Sequence, residues 1–261
     1  MNKNRFIELM QNLAPIELAE PYDNPGLIID CKTDEINKVL VALDCTKTVA
    51  DEAIIGNYDI ILTHHPLIFN PVKSILKSVP VTSVAYSLIE NGIGLFSAHT
   101  NLDKAIGGVN DSLCKLFELK NIVVVEPENF GRVGDLNEEI SLLDFCKKTD
   151  KLLNTRSRCA IANFRKDPEN IFIKRVGVLG GSGGEDIFVM KQYGADVFIT
   201  GEIKHNYSID AQHIGLNVLE AGHYETENPV LNDLICYLQK HDYSVQYKIS
   251  ECESSPLKMI Y

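Results

Sequence analysis

The stretch DIILTHHPLIFN (Asp59–Asn70) ends an apolar run with two adjacent imidazoles, His64 and His65. A second apolar run ends in SAHTNLD (Ser97–Asp103), which delivers His99 and Asp103. A third ends in AGHYETE (Ala221–Glu227), which delivers His223, Glu225 and Glu227. Imidazole together with carboxylate suits first-row divalent ions, Zn, Fe, Mn, Co or Ni, better than Ca or Mg. Thiolates are absent from the three motifs, which separates them from structural zinc sites. Four histidines and several carboxylates exceed the three protein ligands of one open catalytic metal. Two divalent ions about 4 Å apart, sharing bridging carboxylates, would use them, and such pairs are a recurrent hydrolytic device. Satisfied loop histidines would explain one such motif; here that explanation has to hold three times. In the second and third motifs the His and the acid are four residues apart and share one face if the segment is a helical turn. Thr100 and Asn101 suit a loop equally well. In a helical turn Glu225 points away from His223 and Glu227, to solvent or to a supporting position.

Elements must bring these ends together. Ligands collect beyond the carboxyl ends of parallel strands, and each motif follows a strand-like run. Pro66 turns the chain away from helical geometry, so both imidazoles of the first motif can reach one crevice. Strands are predicted at Gly26–Asp30, Val39–Asp44, Asp59–Thr63, Ile93–Ala98, Ile122–Glu126, Cys159–Ala162, Arg175–Leu179, Ala195–Thr200, Leu216–Glu220 and Ser244–Lys248. Helices are predicted at Asn4–Leu13, Lys47–Gly56, Val81–Asn91, Gly107–Leu119, Glu139–Thr149, Gly184–Tyr193, Lys204–Ile214 and Pro229–His241. Alternation of the two types defines an α/β fold. Continuous Val/Ile/Leu runs indicate mostly parallel sheets covered on both faces.

The chain also echoes itself. NYDIILTHH (Asn57–His65) resembles GADVFITGE (Gly194–Glu202), and GIGLFSAHTNLD (Gly92–Asp103) resembles GLNVLEAGHYETE (Gly215–Glu227). A period of roughly 125–140 residues is too long for a solenoid. It implies two similar α/β halves, residues 1–130 and 131–227, with 228–261 returning to the first. The turn-rich VEPENFGRVGD (Val125–Asp135) marks the boundary. The metal site is expected at the carboxyl ends of the strands, between the halves.

Composition narrows the function. With 36 acidic and 25 basic residues and a formal charge of −11, the chain lacks the basic footprint of a nucleic-acid binder and attracts cations instead. The amphipathic start, with Phe6, Ile7, Met10 and Leu13 on one face, is too short and too charged to span a membrane. A cytoplasmic protein is expected, without membrane or nucleic-acid partners. Seven cysteines without a C-x-x-C pair read as reduced, mostly buried thiols. Cys45 in VALDCTK reads as a packed or rim thiol.

The motifs LTHHPLIF, SAHTNLD and AGHYETE, in this order, resemble the Nif-three-like dinuclear-metal family, whose members often carry the name GTP cyclohydrolase 1 type 2 homologue. The likeness spans nearly the whole chain and takes in YDNPGLIID (Tyr22–Asp30), GGSGG (Gly180–Gly184) and TGEIKH (Thr200–His205). It implies that His64, His65, Asp103, His223 and Glu227 ligate two divalent ions. It also implies a ring-shaped homohexamer with the sites facing an inner cavity. Larger relatives carry an extra mid-chain domain, for which residues 135–175 leave no room, so this is the short form. Asn206 stands where many relatives have a second His after TGEIKH.

His99 lies outside that set of five. It is read as a proton carrier, or as orienting Asp103 or a bound water. The glycine cluster in VLGGSGGED lacks the Lys-Ser/Thr of a P-loop. Glu185 and Asp186 beside it repel an anion and complement the helix dipole, so a tight turn is favoured over a phosphate cradle. Thr63, Ser97 and Ser182 lack a nucleophile-elbow pattern. Two functions remain. One is a metal-dependent hydrolase acting on a nucleotide or other phosphorylated small molecule, like GTP cyclohydrolase 1 type 2 by resemblance. The other is a non-enzymatic metal-binding scaffold, for metal storage or delivery or for a protein partner.

Overall fold

A computed structural model describes residues 1–128 and 130–258. Contacts divide the chain into two units, residues 1–108 with 231–261, and residues 109–230. The first unit opens with α1 (Lys3–Leu13), which buries Phe6, Leu9 and Met10 at helical spacing. β1 (Gly26–Ile29), β2 (Lys38–Ala42), α2 (Lys47–Ile55), β3 (Ile60–Thr63), α3 (Pro80–Asn91), β4 (Gly94–Ser97) and α4 (Thr100–Lys104) follow. The second unit contains α5 (Val109–Leu116), β5 (Lys120–Val124), β6 (Arg132–Ser141), α6 (Leu142–Leu153), β7 (Arg158–Ala160) and β8 (Phe172–Leu179). It continues through α7 (Ile187–Gln192), β9 (Val197–Thr200), α8 (His205–His213), β10 (Asn217–Glu220) and α9 (His223–Glu227). The chain returns to the first unit by α10 (Val230–His241) and β11 (Gln246–Ile249).

The first sheet has the order β1-β4-β3-β2-β11. All its pairs are parallel except β1 with β4. β3 and β4 are buried along their whole length, which explains their continuous apolar character. Leu40, Ala42, Ile61 and Leu95 form one core with Val49 and Ala53 of α2 and Val84 and Leu88 of α3. Side chains alternate across a strand. Phe96, next along β4, accordingly meets Phe6 of α1 edge-on at 5.7 Å.

The second sheet has the order β5-β6-β8-β9-β10-β7. Its centre, β8-β9-β10, is parallel, and antiparallel strands flank it on both sides. Val197, Ile199 and Leu219 face one core with Phe117 and Phe145. Phe198 and Val218 face the other, with Ile187 and Met190.

The sequence echo is structural. β3-α3-β4-α4 in the first unit matches β9-α8-β10-α9 in the second. Asp59, before β3, accepts the amides of Asn37 and Lys38 at 2.7 and 2.9 Å. Asp196, before β9, accepts those of Lys174 and Arg175 at 2.9 and 2.8 Å. Gly92 before β4 and Gly215 before β10 both take a φ of 72°.

One element departs from the sequence reading. The stretch read as a turn-rich boundary, followed by a helix from Glu139, carries the ten-residue strand β6, and the helix starts at Leu142. β6 begins with a buried Arg132, whose Nε donates to Asp111 Oδ1 at 2.6 Å. Its pairing with β8 shifts register between Asp135 and Ile140. A buried cation and a bulge both erase the apolar alternation by which a strand is recognised. Among the described residues, no helix is long and apolar enough to cross a membrane.

Candidate metal centre

In the first unit, β3 and β4 are parallel neighbours with Thr63 opposite Ser97. Their hydroxyls meet at 2.9 Å. The residues that follow therefore leave the sheet side by side. Backbone bonds from His64 N to Ala42 O (3.3 Å) and His65 N to Leu43 O (2.9 Å) carry the ladder past the strand end. His99 is the N-cap of α4, and Asp103 lies one turn on, its N–H bonded to His99 O at 3.0 Å. The helical form that Thr100 and Asn101 left open is thus adopted. Asn101 helps to set it, accepting from His99 N at 2.9 Å and donating to Ala14 O at 2.7 Å.

Each imidazole of this group is oriented through Nδ1. His64 Nδ1 donates to Ala98 O at 2.8 Å, His65 Nδ1 to Asp44 Oδ1 at 3.0 Å, and His99 Nδ1 to Asp23 Oδ1 at 2.9 Å. A hydrogen on Nδ1 leaves the lone pair on Nε2. Fixing the second nitrogen in this way is how proteins set the tautomer of a metal-ligating histidine. The ring centroids lie 4.8 Å (His64–His65), 5.3 Å (His64–His99) and 5.6 Å (His65–His99) apart. The three residues can offer ring nitrogens within 4.8 Å of one another. His64 Nε2 is 3.5 Å from Asp103 Oδ1. This donor set fits a first-row divalent ion.

Two residues here escaped the sequence reading as functional positions. The carboxylate of Asp23 is fully buried. It accepts from His99, from Thr100 N at 3.0 Å and from Thr100 Oγ1 at 2.5 Å. Burial alone would push its pKa up, but the bonds from His99 and Thr100 outweigh it and hold the carboxyl well below its usual range. Asp44, one residue before Cys45, stands past the end of β2, and that strand-end position was its only signal. Cys45 is buried and its thiol is pushed up to about 12, first by burial and then by Asp44 and Glu253, so it is inert.

In the second unit, β9 and β10 are parallel neighbours with Thr200 opposite Glu220. α9 places His223 and Glu227 on one face, with Nε2 3.2 Å from Glu227 Oε1. His223 Nδ1 lies 3.3 Å from Glu202 Oε1, the acid that follows β9. Glu227 is buried, whereas Glu225 is half-buried. The glycine turn seats this pair. Gly181 takes a φ of 67°, and a Cβ there would fall 2.3 Å from Glu227 Oε1. The amides of the turn are used internally: Gly180 N donates to Asn110 Oδ1 (2.9 Å), Gly181 N to Thr226 Oγ1 (3.1 Å) and Gly183 N to Thr200 Oγ1 (2.9 Å). The turn is a buttress, as its flanking acids suggested, and those amides do not point at a phosphate.

Fold and site define a class: a two-sheet α/β chain with imidazoles and carboxylates beyond its parallel strand ends. Residues 1–256 match the Duf34/NIF3 (NGG1p interacting factor 3) family, and the chain belongs to it. A Clostridium perfringens relative named GTP cyclohydrolase 1 type 2 homolog is 32% identical over 268 residues, covering 100% of both chains. A Methanocaldococcus jannaschii relative of the same name is 34% identical, covering 87% of this chain and 90% of its own. Staphylococcus aureus protein SA1388 has a solved structure with a TM-score of 0.89 at 28% identity, covering 100% of this chain and 99% of that one.

Proposed function

We propose that His64, His65, Asp103, His223 and Glu227 hold two divalent metal ions. The protein uses them as a metal-dependent hydrolase on a nucleotide or other phosphorylated small molecule. The observation that carries this reading is the support of His64 and His65, each bonded through Nδ1 to an oxygen in the way that sets the tautomer of a metal-ligating histidine. The name GTP cyclohydrolase 1 type 2 homolog, borne by the relatives, supports the substrate class.

When bound, such ions acidify coordinated water toward neutral pH and offset developing negative charge. The rest falls to the chain. Asp44 and the Ala98 carbonyl keep His65 and His64 in the ligating tautomer. Asp23 holds the hydrogen of His99 on Nδ1, so that its Nε2 accepts a proton from the attacking water and returns one to the leaving group. Gly181 keeps the Glu227 carboxylate in place by offering it no side chain.

Metal analysis of protein purified without added metal or chelator tests the reading, followed by a screen of the same sample against nucleotides. About two ions per chain and hydrolysis of one of them is the expected result. No metal after reconstitution with Zn, Mn, Fe or Co would refute the site. Full metal with no turnover would favour a second reading, a metal-holding scaffold for a protein partner, which the words "interacting factor" in the family description support.

The same proposal extends to a closed homohexamer. Supporting it within the first unit is the exposed apolar run Val72, Ile75, Leu76 and Val79, of the kind that marks an association surface. Light scattering that finds a monomer at micromolar concentration would exclude the ring.

A further inference from the structure

Cys146 and Cys159 lie outside the metal motifs, on α6 and β7 of the second unit. Both are partly buried and pack on the apolar cluster of Leu142, Phe145 and Leu219. The connection between them is short and pinned. α6 stops at Asn154, left-handed with a φ of 50°, and Thr155 N donates to Asp150 O at 3.0 Å. Ser157 then doubles back, its N and Oγ both bonded to Asp150 Oδ1 at 2.8 and 2.6 Å.

Asp150 and Ser157 thus form one rung between helix and returning strand. Four residues back along the helix is a rise of about 6 Å. Two residues forward along the strand is an advance of about 6.5–7 Å. The two steps match, and each keeps its face. The next rung therefore sets Cys146 against Cys159, and both pack on the same apolar cluster. Their sequence separation hides the pair from any C-x-x-C search.

We propose that Cys146 and Cys159 are a reversible redox site that exchanges with small-molecule disulfides and closes an intramolecular bond between α6 and β7. Cys146 attacks, because the neighbouring Cys159 thiol lowers it against the opposing effect of burial, while Cys146 and burial both raise Cys159. The Cys146 thiolate bonds to one sulfur of the incoming disulfide, whose S–S bond breaks and releases one small thiolate. Cys159 then loses its proton and attacks Cys146 Sγ, expelling the second small thiolate. The two protons shed by the protein end on the two small thiols. The protein gives up two electrons and the disulfide takes them. Cys159 pairs with Leu219 across β7 and β10, so the new bond fixes α6 to the strand that leads to His223.

The test uses the full chain carrying Cys236→Ser and Cys252→Ser, which removes the two exposed thiols. It is incubated with oxidised glutathione and read by thiol titration, intact mass and peptide mapping. The expected result is loss of two thiols per chain, no retained glutathione and a Cys146–Cys159 linked peptide, all reversed by dithiothreitol. Adding Cys159→Ser should trap one glutathione on Cys146. Retention of all thiols, or linkage through Cys31, Cys45 or Cys114, would overturn the proposal. Peptide mapping of the intact pair gives the answer even where Cys159→Ser does not fold.

Discussion

The two units solve the end of a parallel strand pair differently. After β3 and β4 the first unit places His64, His65 and His99, each tied through Nδ1 to a different oxygen. After β9 and β10 the second places Gly201, Glu202 and His223, with Gly181 pressed against Glu227. The frame beneath is shared down to the aspartates that precede β3 and β9. A repeated frame fixes where side chains emerge and leaves their chemistry open. The first unit became rich in neutral donors held by hydrogen bonds. The second is rich in carboxylate held by close packing.

If both units are needed, removing one ligand from either should have the same large consequence. His65→Ala and Glu227→Ala are each expected to lose at least one of two ions per chain by elemental analysis, with unchanged circular dichroism. A Glu227→Ala protein that kept both ions would assign the metal to the first unit alone. Next in size is His99→Gln. It should keep both ions and lose about 10²–10⁴-fold in turnover of whichever substrate the screen identifies. In a scaffold the same change alters metal affinity alone, by roughly 10–100-fold.

The two means of support can be set against each other. Asp44→Asn loosens the hydrogen bond that orients His65 and Gly181→Ala intrudes on a carboxylate. Each should weaken metal binding by about 10–100-fold, the usual effect of disturbing a ligand's support. Competition against a chelator measures both, and an unaltered Gly181→Ala would remove close packing as the device of the second unit.

The smallest effect concerns Asp186, beside the glycine turn. Burial, then Glu185 and Glu128, push its carboxyl up to about 6. A carboxyl raised above its unfolded value favours the folded state only while protonated, so stability falls as pH rises from about 4 to about 6 and then levels. Asp186→Asn should gain about 1–2 kcal/mol at pH 7 and little at pH 4, as read by urea denaturation at the two pH values.

Much of this was legible before any coordinates. Apolar runs closed by His or acid mark strand ends, because burial on both faces forces the run and the end of the ladder frees the polar pair. The repeat was legible because Asp59 and Asp196 serve the same backbone amides. Asp23 and Asp44 were not, since their roles lie in bonds to His99 and His65, 76 and 21 residues away. β6 was not, since the Arg132–Asp111 pair hides a buried strand behind a charged one.

The return of the chain to the first sheet has a consequence for biosynthesis. β11 pairs with β2, and Glu253 just beyond it accepts the amides of Leu43 and Asp44, at 2.8 and 2.6 Å across 210 and 209 residues. Asp44 in turn orients His65. The loop that aims this imidazole is therefore completed only after the whole second unit has left the ribosome. Under the proposed function, metal capture waits on the arrival of a late segment, and a nascent chain lacking it presents His65 without its anchored support. A chain stopped before Gln246 should bind metal more weakly than the full chain at equal helix content, and equal affinity would show that Asp44 needs no such anchor.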